Sequence, residues 1–170
     1  MPANSSWRWT WLMALLATGT LQIAAGEDTS PWWIVAEIGI AIAVVVAGNW
    51  SVRTWLASWA TAENRTTWVL ALAGGALGIE IATRLATETM WPLELLLLAG
   101  FRNAVLALAI FVHEPSAQRQ CSVLSAFLMI FASSLGSQLW LQGLVILFAV
   151  AGIWWLMESY WNALQGRLAE

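Results

Sequence analysis

Apolar residues run through this chain in long blocks divided by short polar breaks. The blocks lack the wide polar face that a water-exposed helix keeps. Six of them, at 9–26, 32–50, 67–86, 91–113, 121–135 and 138–157, approach the roughly 20 apolar residues a helix needs to cross a hydrocarbon core of about 30 Å. The breaks are equally legible. Gly26-Glu27-Asp28-Thr29-Ser30-Pro31 is a polar turn, with Pro31 where a helix can start. The stretch 51–66 carries Arg53, Glu63, Asn64 and Arg65, and 87–90 followed by Pro92 is a short turn. Glu114-Pro115-Ser116 stops the fourth block. Ser133-Ser134-Leu135-Gly136-Ser137-Gln138 is the weakest break, so the last two spans form a tight hairpin or overlap. The pattern predicts an all-α, polytopic helical membrane protein, about six transmembrane helices in one bundle over 1–170, without internal repeats.

Composition narrows the class further. Of 170 residues, 60% belong to the apolar set and 10% are charged, with ten acids, seven arginines and no lysine; mean hydropathy is +0.71. A soluble domain carries roughly 25% charged residues to cover its surface. Ordinary soluble enzymes and disordered chains are thereby excluded, and the net charge of −3 argues against a nucleic-acid partner. The expected surroundings are a lipid bilayer.

The chain is also tryptophan-rich, with fourteen. Trp7, Trp9, Trp11, Trp32, Trp33, Trp50, Trp55, Trp59, Trp68, Trp91, Trp140, Trp154, Trp155 and Trp161 all flank apolar blocks. That is where interfacial aromatic belts lie, the ring half buried and its N–H near water. Trp55, Leu56 and Trp59 share one face of an expected short interfacial helix. With six spans, Arg8, Arg53, Arg65, Arg119 and Arg167 fall on one side and only Arg84 on the other. The positive-inside rule then places both termini in the cytoplasm. Residues 1–26 also carry signal-peptide features: Arg8, an apolar stretch, and Ala24-Ala25-Gly26 before Glu27.

Charged groups inside spans are costly, and each is a candidate site. Glu80 and Arg84 lie four apart in the acid-before-base order that favours a helical pair. Glu37 and Glu94 sit one turn into their spans, and Arg102 beside Asn103 falls near mid-span. Together Glu37, Glu80, Arg84, Glu94, Arg102 and Asn103 form a candidate intramembrane polar network. One reading is an ion or proton pathway. The other, preferred because no repeated or symmetric acid motif accompanies the charges, is that the acids reach headgroups and Arg102 pairs across helices. Gly74 and Gly78, four apart, are candidates for close helix packing within the chain or between subunits.

No catalytic constellation is written in the sequence. One Cys and one His exclude an intrachain disulfide and a Cys/His zinc site of the usual count. Cys121 and His113 lack an orienting third group for a nucleophilic dyad, and there is no phosphate loop, HExxH or GxSxG. Catalytic, cofactor and metal residues are therefore all expected to be none.

The second half resembles a known family. Gly100-Phe101-Arg102-Asn103-Ala104-Val105-Leu106-Ala107-Leu108-Ala109-Ile110-Phe111, a polar break ending in Arg119-Gln120, and then Ser122-Val123-Leu124-Ser125-Ala126-Phe127-Leu128-Met129-Ile130-Phe131-Ala132-Ser133-Ser134-Leu135 are similar to the membrane region of bacterial transglutaminase-like membrane proteins. Residues 138–156 resemble that family's last helix before its soluble domain. The linker 114–120 carries one Arg where the family has several charges, and the domain's catalytic residues have no counterpart, so none is carried over. The resemblance implies the membrane half alone, with its C-terminal side outside, opposite to the arginine count. The function expected is a non-catalytic membrane anchor or interaction module, with a membrane-protein partner or a homo-oligomer. The alternative is a small multi-pass transporter or channel using the intramembrane Glu and Arg.

Overall fold

The computed structural model describes residues 6–24, 64–86, 93–112, 114–135 and 139–168. Every regular element among them is helical: α1 (Ser6–Ala24), α2 (Arg65–Ala86), α3 (Leu93–Ile110), α4 (Pro115–Leu135) and α5 (Leu139–Leu168). The expected span at 32–50 and the interfacial helix near Trp55 lie outside the described residues.

Local chemistry sets several helix ends. The Asn64 carbonyl accepts from the Trp68 N–H at 3.0 Å, making Asn64 the cap of α2. Beyond α3 the chain tightens: the Phe111 N–H donates to Leu108 at 2.9 Å and the Glu114 N–H to Phe111 at 3.0 Å. Pro115 then opens α4 at a position that needs no N–H donor, and the Glu114 carbonyl takes the first helical bond from Gln118 at 2.9 Å. The chain reverses between Ile110 and Pro115.

Side-chain contacts give the helix directions. Ser6 meets Gln118 and Thr10 meets Ser122, a constant offset, so α1 and α4 run parallel. Cys121 reaches the Val105 carbonyl and Phe101 stacks with Phe127, so α3 is antiparallel to α4. Arg65 pairs with Glu114, Leu77 lies 3.5 Å from the Cβ position of Gly100, and Glu80 meets Arg102, so α2 is antiparallel to α3. Trp9 packs with Trp154, and Met13 lies near Gly152, which makes α5 antiparallel to α1. The start of α1 and the end of α5 therefore share one face. Helices α1, α3 and α4 form the centre; α2 flanks α3, and α5 flanks mainly α1.

The distribution of polarity is inverted relative to a soluble bundle. Of its 22 residues, α2 buries Val69 and Glu80, while Leu70 and Ile79 are each 68% exposed. Leu93, Leu97, Leu139, Ile146 and Ile153 also face outward. Inside lie Ser6, Thr10, Thr18, Thr20, Gln22, Arg102, Asn103, Gln118, Ser122 and Ser125, among small apolar residues such as Ala14, Ala17, Ala117 and Ala132. In lipid no hydrophobic force draws apolar helices together, so small residues and interhelical hydrogen bonds carry the association.

Three described helical stretches are long and apolar enough to cross a membrane: Arg65–Ala86, Leu93–Ile110 and Leu141–Gln165. Six were expected. Of the other three, 32–50 is not described, and α1 and α4 are helical but fall short in apolarity. The physical reason is their position: as inner helices they spend surface on hydroxyls and amides that pair with each other. Several hydroxyls are also satisfied by their own helix, Thr18 at the Ala14 carbonyl (2.8 Å), Thr20 at Leu16 (2.6 Å) and Ser133 at Ile130 (2.7 Å).

The parallel register of α1 on α4 is testable by cysteine cross-linking. In a Cys121→Ser background, Thr10→Cys with Ser122→Cys should form a disulfide under mild oxidation. Thr10→Cys with Ser133→Cys, about three turns away along α4, should not. The reverse result would overturn the register.

Candidate functional site

The polar network gathers where α2, α3 and α1 meet. Glu80 is the only acid buried among the described residues, and its two oxygens are divided between two guanidinium groups. Oε2 accepts from Arg102 Nη2 at 2.7 Å, and Oε1 accepts from Arg84 Nη2, one turn along α2, at 3.2 Å. Arg102 is itself 5% exposed and continues the network. Its Nη1 donates to Gln22 Oε1 of α1 at 2.9 Å, and its Nε and Nη2 donate to Asn103 Oδ1 at 3.3 and 3.2 Å. One arginine side chain thus ties three helices. A planar guanidinium with five donors suits this fork, where a lysine would offer a single point charge.

The helical repeat explains why these residues meet. Val69, Ala73, Leu77, Glu80 and Arg84 recur at three- and four-residue steps along α2, and this stripe faces α3. Arg102 lies near the middle of α3, where both neighbours are within reach of a long side chain. Arg65 and Glu114 form a separate ion pair at the opposite end of α2, with the Glu114 side chain 44% exposed.

The structure therefore joins Glu80, Arg84, Arg102 and Asn103. It leaves Glu94 out: that residue is exposed in the first turn of α3. Glu37 lies outside the described residues. Gln22 is the member that sequence reasoning missed. Its signal was a lone amide at the end of an otherwise apolar block, and partnership with a residue 80 positions away has no trace in local sequence.

Gly74 and Gly78 make no close helix contact within the chain among the described residues. A Cβ added at Gly74 or Gly78 would meet nothing within 4 Å, and both residues are exposed. The Glu80 stripe turns inward and carries the glycines to the outside of α2. Close packing is instead made by Ala, Ser and Thr on α1 and α4.

A second polar seam joins α1 to α4. Gln118 Nε2 donates to Ser6 Oγ at 2.7 Å, and the hydroxyls of Thr10 and Ser122 lie 3.3 Å apart. Cys121 is fully buried beside it with its thiol directed at the Val105 carbonyl, 3.7 Å away. No group of His, Cys, Asp and Glu among the described residues could hold a metal ion. Trp7, Trp9 and Trp68 lie in the first turns of α1 and α2, towards the Arg65–Glu114 face, and Trp161 lies in the last turns of α5. Trp154 and Trp155 sit instead near the middle of α5, Trp155 with its ring N–H buried and without a partner among the described residues. Trp11 departs from the belt expectation, being 6% exposed within the core.

Comparison with protein-family models, curated proteins and solved structures finds no match. Fold and polarity define the class: an all-helical, membrane-associated protein with a charged interior.

The network ranks its own substitutions. Glu80→Ala removes the acceptor shared by two buried guanidinium groups and should cost about 3–5 kcal/mol. Arg102→Met leaves Glu80 paired with Arg84 and should cost less. Arg65→Gln breaks a pair whose acid is half in solvent and should cost no more than about 1 kcal/mol. Thermal unfolding in detergent micelles reads all three, and equal losses would contradict this ranking.

Proposed function

We propose that this chain is a non-catalytic integral membrane module, an anchor or interaction platform whose buried charges are structural. The observation that carries the reading is the double clamp on Glu80. Glu80 is held by two arginines from two helices, and Arg102 is held in turn by Gln22 and Asn103. A conduction site needs groups that can release one partner for another, whereas this carboxylate is clamped on both oxygens. The residues expected to line a pathway are also not continuous, since Glu94 stands apart.

In this reading α1 and α4 cross the bilayer as inner helices, shielded by the more apolar α2, α3 and α5, and six spans are completed by residues 32–50. Arg8, Arg65 and Arg119 lie towards one face. Arg84 lies towards the other, turned onto Glu80. The arginine-bearing face is cytoplasmic, and the described tryptophans beside it sit at the headgroup level of a bacterial inner membrane. The proposed resemblance to the membrane region of transglutaminase-like membrane proteins rests on the sequence of 100–156 alone. The shared face of Ser6 and the end of α5 supports a cytoplasmic C-terminus instead of the external one that family implies.

Two measurements test this. A compartment-specific reporter fused after residue 170 should be active only in its cytoplasmic form. An external C-terminus would overturn the orientation and favour the transglutaminase-like arrangement. In proteoliposomes, Arg102→Ala should lower folded yield without abolishing any ion or solute flux. A flux carried by the wild type and lost in a normally folded Arg102→Ala protein would establish the transport reading.

A further inference from the structure

A shallow groove of about 390 Å³ opens on the outer surface between α3 and α4, lined by Leu108, Arg119, Gln120, Val123 and Leu124. Its lining is almost wholly apolar: Leu108, Val123 and Leu124, with Val123 67% exposed, and the stems of Arg119 and Gln120. Both of those residues, in the first turns of α4, are exposed. Arg119 makes no hydrogen bond or ion pair among the described residues, in contrast to Arg65, Arg84 and Arg102.

We infer that this groove is a binding site for one anionic glycerophospholipid, resting on the membrane reading given above. The depth of the groove matches such a ligand. The antiparallel pairing of Cys121 with Val105 brings Arg119 close to the level of Leu108, just short of the end of α3 at Ile110. A guanidinium at that depth reaches up to the phosphate plane while its stem stays in apolar surroundings. The apolar floor runs from that point towards the bilayer interior, in the direction an acyl chain takes. Charge supplies the selectivity. The arginine lies near the face that also carries Arg8 and Arg65, and basic grooves between helices at such a face take anionic headgroups. A zwitterionic headgroup brings its own cation to the phosphate and gains less from Arg119. Gln120 adds an amide that can donate to a headgroup hydroxyl or phosphate oxygen.

The test is a native mass-spectrometric titration of the full chain in detergent with dioleoylphosphatidylglycerol and, separately, dioleoylphosphatidylcholine. The first phosphatidylglycerol should bind more tightly than phosphatidylcholine. Arg119→Gln should weaken it about five-fold, the worth of one basic residue at a headgroup. Val123→Trp, which fills the groove from an exposed position, should weaken it as much while keeping the charge. Arg8→Gln, near the same face but away from the groove, should leave it unchanged. Equal affinity for the two lipids, or unchanged phosphatidylglycerol binding in both groove variants, overturns the site. Full competition by glycerol phosphate would also overturn it, because the groove would then be a free-anion site. Alkaline extraction of membranes separates this from the parent reading: a chain released as a soluble protein fails both, and a retained chain with indifferent variants fails the lipid site alone.

Discussion

Arg102 on α3 and Glu80 on α2 meet at 2.7 Å in the interior of the bundle, and much of the remaining structure is arranged to make that contact affordable. A charge at bilayer depth costs several kcal/mol unless it is paired and hydrogen-bonded. Pairing requires the polar stripe of α2 to face inward, so the rest of that helix must face outward with its leucines, isoleucines and glycines. It also requires a third helix close enough to occupy the remaining donors of Arg102, and Gln22 places the end of α1 there. The pair therefore specifies rotation and proximity for three helices at once. Its net contribution to stability is smaller than its contribution to specificity, because removing both charges also removes their desolvation cost.

The second constraint is the absence of water around the bundle. Apolar helices gain nothing by hiding from lipid, so the centre is built from contacts that lipid cannot replace. Alanine and serine on α1 and α4 allow close approach, and Gln118–Ser6 and Thr10–Ser122 tie the two along a shared register. Hence the most polar helices are innermost and the most apolar are peripheral. The same logic motivates the proposed anchor role, in which Glu80, clamped on both oxygens by Arg84 and Arg102, holds helices together.

Sequence and structure part company at particular places. The Pro115 break and the apolar blocks that became α2, α3 and α5 were visible because each is a local property of a few residues. The pair Glu80–Arg84 was visible because helical spacing alone brings it together. Counting apolar blocks overstated the number of described helices suited to lipid, since α1 and α4 are helical for reasons that apolarity does not measure. Gly74 and Gly78 lie on the exposed side of α2, because small-residue spacing says that close approach is permitted on a face without saying which face is turned inward.

What the sequence determined by itself was the class: an apolar, tryptophan-rich chain without lysine can cover itself in lipid and cannot cover itself in water, and its long unbroken apolar blocks suit helices, which satisfy their own backbone. It also determined where those helices break, because proline, capping residues and charge act over one turn. Only the tertiary structure decided which intramembrane charges are partners. Glu94 and Glu80 look alike along the chain, yet one is exposed in the first turn of α3 and the other is clamped by two arginines, because the rotation of each helix and the depth of each residue are set by neighbours distant in sequence.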